Sequence, residues 1–180
     1  EINEKHTNEK YLPSIALPPT ITGYTDLTEA LDGVEQLIVA VPTKAIREVI
    51  KKVCGVAKQP LVVVHVSKGI EPDTLMRISE MIEQESNPAI ITDVVVLSGP
   101  SHAEEVSLGI PTALVIASKE EEILKTVQDT FMSETLRIYN SYDLKGAELG
   151  GALKNIIAFC AGIITGLNLG DNTFAALLTR

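Results

Sequence analysis

Residues 61–69 have the sequence Leu61-Val62-Val63-Val64-His65-Val66-Ser67-Lys68-Gly69. A short, continuous run of aliphatic and β-branched residues is typical of a strand that is buried on both faces of a parallel sheet. The polar Ser-Lys-Gly segment that follows it predicts a loop at the carboxyl end of that strand. We therefore predict an α/β fold in which loops of this kind carry the chemistry.

The same arrangement recurs on both sides of this stretch. Upstream, the apolar run 37–41 is closed by Pro42 and predicts another strand buried on both faces, and downstream the apolar run 94–97 ends in Ser98-Gly99-Pro100-Ser101. Further strands are predicted at 112–117 and 136–139, and helices at about 43–53, from Pro72 onwards with Leu75, Ile78, Met81 and Ile82 on one face, at 103–108 and at about 119–131. This alternation indicates a partial Rossmann-like, doubly wound sheet with right-handed crossovers and mainly parallel strands.

The two ends of the chain have different patterns. Residues 1–10 are predicted to form the side of a charged helix, and prolines at 13, 18 and 19 predict an extended connection over 11–24 before a short helix at 25–31. Beyond Tyr142 only helices are predicted, at roughly 143–169 and 172–180. We therefore expect a partial dinucleotide-binding domain over 1–141, followed at 142–180 by the beginning of an all-α, substrate-binding domain.

Composition restricts the classes of partner. The formal charge of −9 argues against nucleic acid and against an anionic membrane surface. No uninterrupted apolar run reaches the ~18 residues that span a bilayer, so we predict no membrane insertion and a cytoplasmic location. The two cysteines, Cys54 and Cys160, lie in apolar patterns without the spacing of metal ligands, and we predict no metal site.

A lysine and an asparagine interrupt the apolar pattern of the long helix, in the stretch Gly150-Gly151-Ala152-Leu153-Lys154-Asn155. An ammonium in such a helix must pair with a negative charge, reach water or take part in binding or catalysis. Glycines at 146, 150 and 151 allow a ligand or another backbone to approach this helix closely. The local pattern alone favours a solvated lysine whose stem covers apolar surface.

Three polar loops follow the predicted strands directly: Val41-Pro42-Thr43, Ser67-Lys68-Gly69 and the Ser-Gly-Pro-Ser loop. In open α/β sheets ligands bind at the carboxyl ends of the strands, so we expect these loops to face one cleft. The spacing G-x-G-x-x-G of a dinucleotide fingerprint does not occur among the twelve glycines. We therefore expect the chain to be an internal fragment, with that fingerprint upstream of Glu1.

Four segments together carry a family resemblance. They are Ile38-Val39-Ala40-Val41-Pro42, Val66-Ser67-Lys68-Gly69-Ile70-Glu71, Leu97-Ser98-Gly99-Pro100-Ser101-His102-Ala103-Glu104-Glu105 and Leu149-Gly150-Gly151-Ala152-Leu153-Lys154-Asn155. In type and order they resemble the successive motifs of bacterial NAD(P)-dependent glycerol-3-phosphate dehydrogenases, and they extend over nearly the whole chain.

The resemblance implies an oxidoreductase that interconverts sn-glycerol 3-phosphate and dihydroxyacetone phosphate with NAD or NADP, for glycerophospholipid synthesis. It implies that Lys154 is the general acid/base, and partial burial in its apolar helix would lower the pKa of such a lysine. The implied substrate-binding residues are Lys68, Gly99, Ser101, Lys154 and Asn155, and the implied cofactor-binding residues are Lys68, Ala103, Val41 and Pro42. The resemblance also implies a phosphorylated small-molecule substrate, allows a homodimer and predicts that the isolated chain is inactive.

Two alternative functions stay open. Related 2-hydroxyacid and nucleotide-sugar dehydrogenases also carry a Lys-Asn-like pair on the first long helix after the nucleotide domain. The chain could instead be a non-catalytic α/β interaction module with solvated lysines, in which case the ammonium groups of Lys68 and Lys154 need not share a site. Of the histidines, His65 is predicted to be a hydrogen-bonded core residue, and His102 is not assigned a catalytic role.

Overall fold

The computed structural model describes residues 1–179, so the predicted end of the last helix at Arg180 lies outside the described residues. The strands are β1 (Thr7–Asn8), β2 (Leu12–Ala16), β3 (Gln36–Val39), β4 (Leu61–His65), β5 (Ile91–Ser98), β6 (Thr112–Ala117) and β7 (Leu136–Ser141). The helices are α1 (Ile2–Lys5), α2 (Leu27–Ala30), α3 (Ile46–Val56), α4 (Ile78–Glu85), α5 (Ala103–Ser107), α6 (Glu121–Phe131), α7 (Leu144–Gly166) and α8 (Gly170–Thr179). The α/β fold class predicted from the sequence is confirmed.

The main sheet has the strand order β3-β4-β5-β6-β7, and its strands are parallel except for the antiparallel pair β5–β6. The reversal follows from the short α5. A helix of five residues spans only about 7.5 Å, whereas the eight residues of β5 extend over about 26 Å. The chain therefore does not return to the start of β5, and β6 runs back beside it from the carboxyl end.

Both faces of the sheet are covered by helices. Val63 of β4 packs with Ile46 and Ile50 of α3, whereas the adjacent Val64 packs with Leu124 and other residues of the opposite cluster around α6. Successive side chains of a strand point to opposite faces, so the two clusters lie on opposite sides of the sheet. This is the two-sided core that a doubly wound sheet requires.

The edge strand β3 departs from the prediction of a strand buried on both faces. Val39 is buried, but Ile38 is 51% exposed. β3 pairs with β4 alone, and Ile38 is in register with Val64, whose covering helix α6 packs mainly on β6 and β7 and reaches β3 through the hydrogen bond from Gln36 Nε2 to Thr130 Oγ1 at 3.1 Å. The apolar pattern predicted the strand correctly, but it did not show that Ile38 on this edge strand stays exposed.

The helix predicted from Pro72 onwards begins later, at Ile78. Leu75 does not lie on its buried face, because it adopts φ 58° in the preceding turn and is 75% exposed. Glu71 holds this turn in place, since its carboxylate accepts hydrogen bonds from the Arg47 guanidinium at 2.7 Å and from the Thr74 hydroxyl. The predicted contacts of Ile78, Met81 and Ile82 are confirmed.

The first ten residues are not the side of a charged helix. Only α1 is helical, and it ends at His6 in the left-handed conformation. β1 and β2 then pair as an antiparallel hairpin that includes Pro13. An edge strand tolerates proline because its outward N–H needs no partner.

Only the first two turns of α7 are packed against the sheet. Asp143 caps the helix by accepting a hydrogen bond from Gly146 N at 2.7 Å. Leu144 and Ala147 pack against Val96 of β5 and Ala117 of β6. After Glu148, neither α7 nor the described part of α8 contains a buried residue, and α7 alone among the described helices is long and apolar enough to cross a membrane by length and composition.

Candidate active site

The loops after β3 and β4 are joined by hydrogen bonds. Ser67 Oγ donates to the Val41 carbonyl at 2.6 Å, and Thr43 Oγ1 donates to the Lys68 carbonyl at 3.4 Å. Gly69 has φ 147°, and a Cβ at this position would lie 2.6 Å from Thr43 Oγ1. A glycine is therefore needed where the chain leaves Lys68.

The loop after β5 reaches the same place. Lys68 Nζ donates to the Gly99 carbonyl at 3.2 Å. Gly99 has φ 145°, and a Cβ there would lie 2.7 Å from Leu114 Cδ2 and 3.2 Å from the Ala113 carbonyl oxygen. The carboxyl ends of three strands thus meet, as predicted from their polar loops.

Helix α7 closes this site from the opposite side. A Cβ on Gly151 would lie 3.0 Å from Ser98 Oγ and 3.7 Å from Lys68 Cγ, so the stem of Lys68 passes directly over a residue without a side chain. The close approach predicted for the glycines of this helix is confirmed at Gly151. At Gly150 no such neighbour lies within 4 Å, and the position faces open space.

A cavity of about 500 Å³ lies between the loops and the helix. Its lining includes Lys68, Gly99, Ser101, His102, Gly150 and Lys154. Four of the predicted site residues, namely Lys68, Gly99, Ser101 and Lys154, are therefore brought together. Asn155, Ala103, Val41 and Pro42 do not line this cavity, and their binding roles remain predictions.

The two lysines differ in their surroundings. Lys154 is exposed, so the partial burial predicted for it is not found in this chain. Lys68 experiences this effect instead: the partial burial of its ammonium lowers its pKa, and the positive charge of Lys154 lowers it further. The two ammonium groups are therefore close enough to repel each other. Two lysines that were solvated at separate places on the surface would show no such repulsion.

A buried carboxylate beneath the cavity was not identified from the sequence. The Glu148 side chain is 3% exposed and accepts hydrogen bonds from Ser79 N, Ser79 Oγ and Arg77 Nη1. Burial raises the pKa of Glu148, but the contacts from His65 and Ser79 outweigh it and leave the pKa below its usual value. The signal was present in the sequence, because Glu148 interrupts the same apolar pattern that Lys154 interrupts.

His65 is fully buried, as predicted, but it is not fully hydrogen-bonded. Its Nε2 lies 3.3 Å from Glu148 Oε1, within the reach of an ion pair, yet neither ring nitrogen is aligned for a hydrogen bond. We interpret this contact as an electrostatic one and not as a hydrogen bond, because the ring nitrogens lack the alignment that a hydrogen bond needs.

Comparison with known proteins agrees with this geometry. Residues 1–124 match the family described as NAD-dependent glycerol-3-phosphate dehydrogenase N-terminus, and residues 143–180 match the family described as its C-terminus. A glycerol-3-phosphate dehydrogenase (NAD(P)+) from Shouchella clausii is 53% identical over 181 residues, which are 100% of this chain and 53% of that protein. The corresponding protein from Bacillus pumilus is 56% identical over 180 residues, which are 100% of this chain and 52% of that protein.

A solved structure has the same fold. The glycerol-3-phosphate dehydrogenase of Coxiella burnetii superimposes with a TM-score of 0.85 at 33% identity, covering 99% of this chain and 54% of that chain. The chain spans about half the length of the curated relatives that it matches. The two family matches include the strands β3 to β6 of the sheet and all of α7. The chain belongs to the NAD-dependent glycerol-3-phosphate dehydrogenase family.

Proposed function

We propose that the full-length protein interconverts sn-glycerol 3-phosphate and dihydroxyacetone phosphate by hydride transfer with NAD or NADP. The observation that carries this proposal is the convergence of Lys68 and Lys154 on one cavity, beside Gly99 and Ser101. Relatives that match the whole chain are named for this activity. The non-catalytic module is disfavoured because the two ammonium groups share the cavity.

Lys154 acts as the general acid/base in this proposal. When the alcohol is oxidised, the hydroxyl on C2 of the substrate must lose a proton, and when the ketone is reduced, the new alkoxide must gain one. An ammonium at this oxygen donates the proton in one direction and, once neutral, accepts it in the other. It also stabilises the negative charge that develops on the oxygen.

Lys68 and Ser101 bind the substrate. Two ammonium groups in one cavity repel each other, so a phosphorylated, anionic ligand is favoured over a neutral one. The hydrogen bond of Lys68 to the Gly99 carbonyl orients its ammonium towards the cavity. Asn155, one residue after Lys154, does not line the cavity, and its role in substrate binding rests on the family resemblance alone.

The cavity also fits the reacting end of a nicotinamide cofactor, which supplies or accepts the hydride when it is bound. Gly150 lines the cavity and has no neighbouring atom within 4 Å of a Cβ position, which leaves room for a flat ring against α7. Lys68, Ala103, Val41 and Pro42 would hold the cofactor at the ends of their strands. The glycine-rich phosphate loop of such sites is not among the 180 residues, so the chain holds one part of the cofactor site.

The proposal is tested with the full-length protein by following the oxidation of NADH and NADPH in the presence of dihydroxyacetone phosphate. Lys154→Ala should lower kcat by about 10²-fold or more, because positioned general acid/base catalysis typically contributes about 10²–10⁴-fold. Lys145→Ala is the matched control, since Lys145 is exposed on the same helix and outside the cavity, and it should leave kcat unchanged. Near wild-type kcat in the Lys154 variant would contradict the assignment.

The same assay separates the remaining alternatives. Turnover of a 2-hydroxyacid or a nucleotide sugar, with none of dihydroxyacetone phosphate, would favour a related dehydrogenase. We expect the isolated 180-residue chain to show no turnover, because it lacks the glycine-rich loop.

A cytoplasmic location and a homodimer belong to the same proposal, and cell fractionation and light scattering of the full-length protein test them.

A further inference from the structure

A buried polar cluster around Glu148 lies between the loop that carries Lys68 and the helix that carries Lys154. Glu148 Oε1 accepts from Ser79 N at 2.7 Å, and Glu148 Oε2 accepts from Ser79 Oγ at 2.7 Å and from Arg77 Nη1 at 2.5 Å. Arg77 is itself held by Glu80, which accepts from Arg77 Nη2 at 2.8 Å and from Arg77 N at 2.9 Å. The carboxylate is thus fixed by directional bonds to the first turn of α4.

The members of this cluster lie close to both lysines along the chain. His65, which is 3.3 Å from Glu148, ends β4 three residues before Lys68. Glu148 precedes Lys154 by six residues on α7, a rise of about 9 Å along the helix axis. Gly151, against which the stem of Lys68 lies, is halfway between them.

The orientation of α7 depends on few contacts. Leu144 and Glu148 are its only buried residues within the described chain, and the further contacts are those of Ala147 with Val96 and Ala117 and of Gly151 with Ser98 and the stem of Lys68. A rotation by one residue, about 100°, would turn Lys154 away from the cavity. Directional hydrogen bonds to a single carboxylate define that rotation much more sharply than apolar contacts do.

We propose that Glu148 is a positioning residue: its bonds to Arg77 and Ser79 set the rotation of α7 and thereby hold Lys154 opposite Lys68. The inference rests on the proposed function of these two lysines. A buried ion pair is often replaceable by apolar residues without loss of stability, so stability alone does not account for a buried carboxylate here. Its directional bonds account for it, because they fix the helix that carries Lys154 to the start of α4.

The test is Glu148→Gln in the full-length protein. The amide keeps the size of the side chain, but it replaces one acceptor by a donor that faces Arg77. We expect kcat to fall by about 10- to 100-fold, as when partners that orient active-site ligands are removed. The KM for the nicotinamide cofactor should stay within about twofold, since the loops that bind it are unchanged.

The matched control is Glu85→Gln. Glu85 also pairs with an arginine, Arg47, at 2.5 Å and is 15% exposed, but it does not contact α7. This variant should lose thermal stability while kcat remains at the wild-type value. A Glu148→Gln variant that behaves in the same way, with lower Tm and unchanged kcat, would show that Glu148 only stabilises the fold and would overturn the inference.

A second readout does not depend on activity. A short bifunctional aryl fluoride should cross-link Lys68 to Lys154 in the wild type and in Glu85→Gln, and mass spectrometry of the peptides measures the yield. The yield should drop in Glu148→Gln, and an unchanged yield would overturn the inference. If the wild type forms the cross-link but does not turn over dihydroxyacetone phosphate, the proposed function fails while the cross-link comparison still decides the role of Glu148.

Ser79→Ala is the milder variant if Glu148→Gln does not fold. It removes one hydroxyl donor to Glu148 and keeps the ion pair with Arg77. A smaller loss of kcat and of cross-link yield is expected. Wild-type values of both would contradict a positioning role.

Discussion

The sheet and helix α7 are both rich in apolar residues but use them differently. The buried apolar residues of the sheet region extend from Leu31 to Ile138 and form cores on both faces of the strands. Most large apolar residues of α7 beyond its second turn are exposed, with Phe159 at 71% and Ile156 at 59%. Apolar composition therefore indicates burial only where a second element is present to cover it.

The two lysines of the proposed site differ in the same way. Lys68 is held on a rigid strand end, whereas Lys154 projects from a helix that the described chain anchors only through its first two turns. The proposed acid/base group thus depends on a few contacts near Glu148, and the proposed binding lysine depends on the sheet. Substitutions made in pairs, one in each region, can test this difference.

The largest effect is expected from removing the same atoms in the two regions. Ile116 of β6 is fully buried, so Ile116→Ala should lower the free energy of unfolding by about 2–5 kcal/mol through lost transfer energy and a cavity. Ile156→Ala on α7 should change it by less than about 0.5 kcal/mol, because the side chain is already in water. Urea unfolding of the 180-residue chain measures both, and equal losses would show that α7 is packed after all.

Glycine positions should show the next largest difference. Gly99→Ala forces a side chain into φ 145° and against Leu114 Cδ2, so we expect a loss of about 1–3 kcal/mol. Gly162→Ala on α7 meets no atom within 4 Å and should stabilise the chain by about 0.5–1 kcal/mol, since alanine loses less backbone entropy in a helix. Circular dichroism melts compare the two variants, and a destabilised Gly162→Ala variant would reveal a hidden contact on α7.

The smallest effect is expected from acid. Hydrogen bonds from Arg47 and then Thr74 lower the pKa of Glu71 to about 2, below its ordinary 4.5. Because the folded pKa is depressed, this contact stabilises the fold above the ordinary pKa and is lost as the pH falls towards the folded one. The pair is partly open to solvent, at 24% and 18% exposure, so its contribution is small.

Glu71→Gln tests this contribution. The variant should be less stable than the wild type at about pH 7, and the difference should shrink by about pH 3. Urea midpoints at the two pH values provide the measurement. A difference that grows on acidification would have the wrong sign for a carboxylate with a depressed pKa.

Apolar periodicity was enough to predict the five strands of the sheet and the convergence of their loops. The run Leu61–Val66 is unambiguous because β-branched residues favour strands and its end is marked by a polar loop. The antiparallel β5–β6 pair was not predicted, since it depends on how far α5 reaches rather than on any residue type. The late start of α4 was missed because Glu71 binds Arg47 across the fold.

The same distinction between local patterns and long-range contacts applies to the candidate site. Lys154 and Lys68 stand out because each is a charge in an otherwise apolar or glycine-rich setting, but their expected roles came from the family resemblance, since the local pattern alone favours a solvated Lys154. Glu148 is the same kind of exception on the same helix, but its partners Arg77 and Ser79 precede it by about 70 residues and form no local motif. Only the fold brings these residues together.

Gly151 has a consequence for how the family can vary. Every single-nucleotide change of a glycine codon that does not stop translation or keep glycine adds a Cβ, and a Cβ here would crowd the Ser98 hydroxyl at 3.0 Å and touch the stem of Lys68 at 3.7 Å. Natural drift at this position would therefore push against the Ser98 hydroxyl and fill the space beside the stem of Lys68. Selection should keep position 151 as glycine among active relatives, while position 162, where a Cβ has no neighbour, is free to diverge.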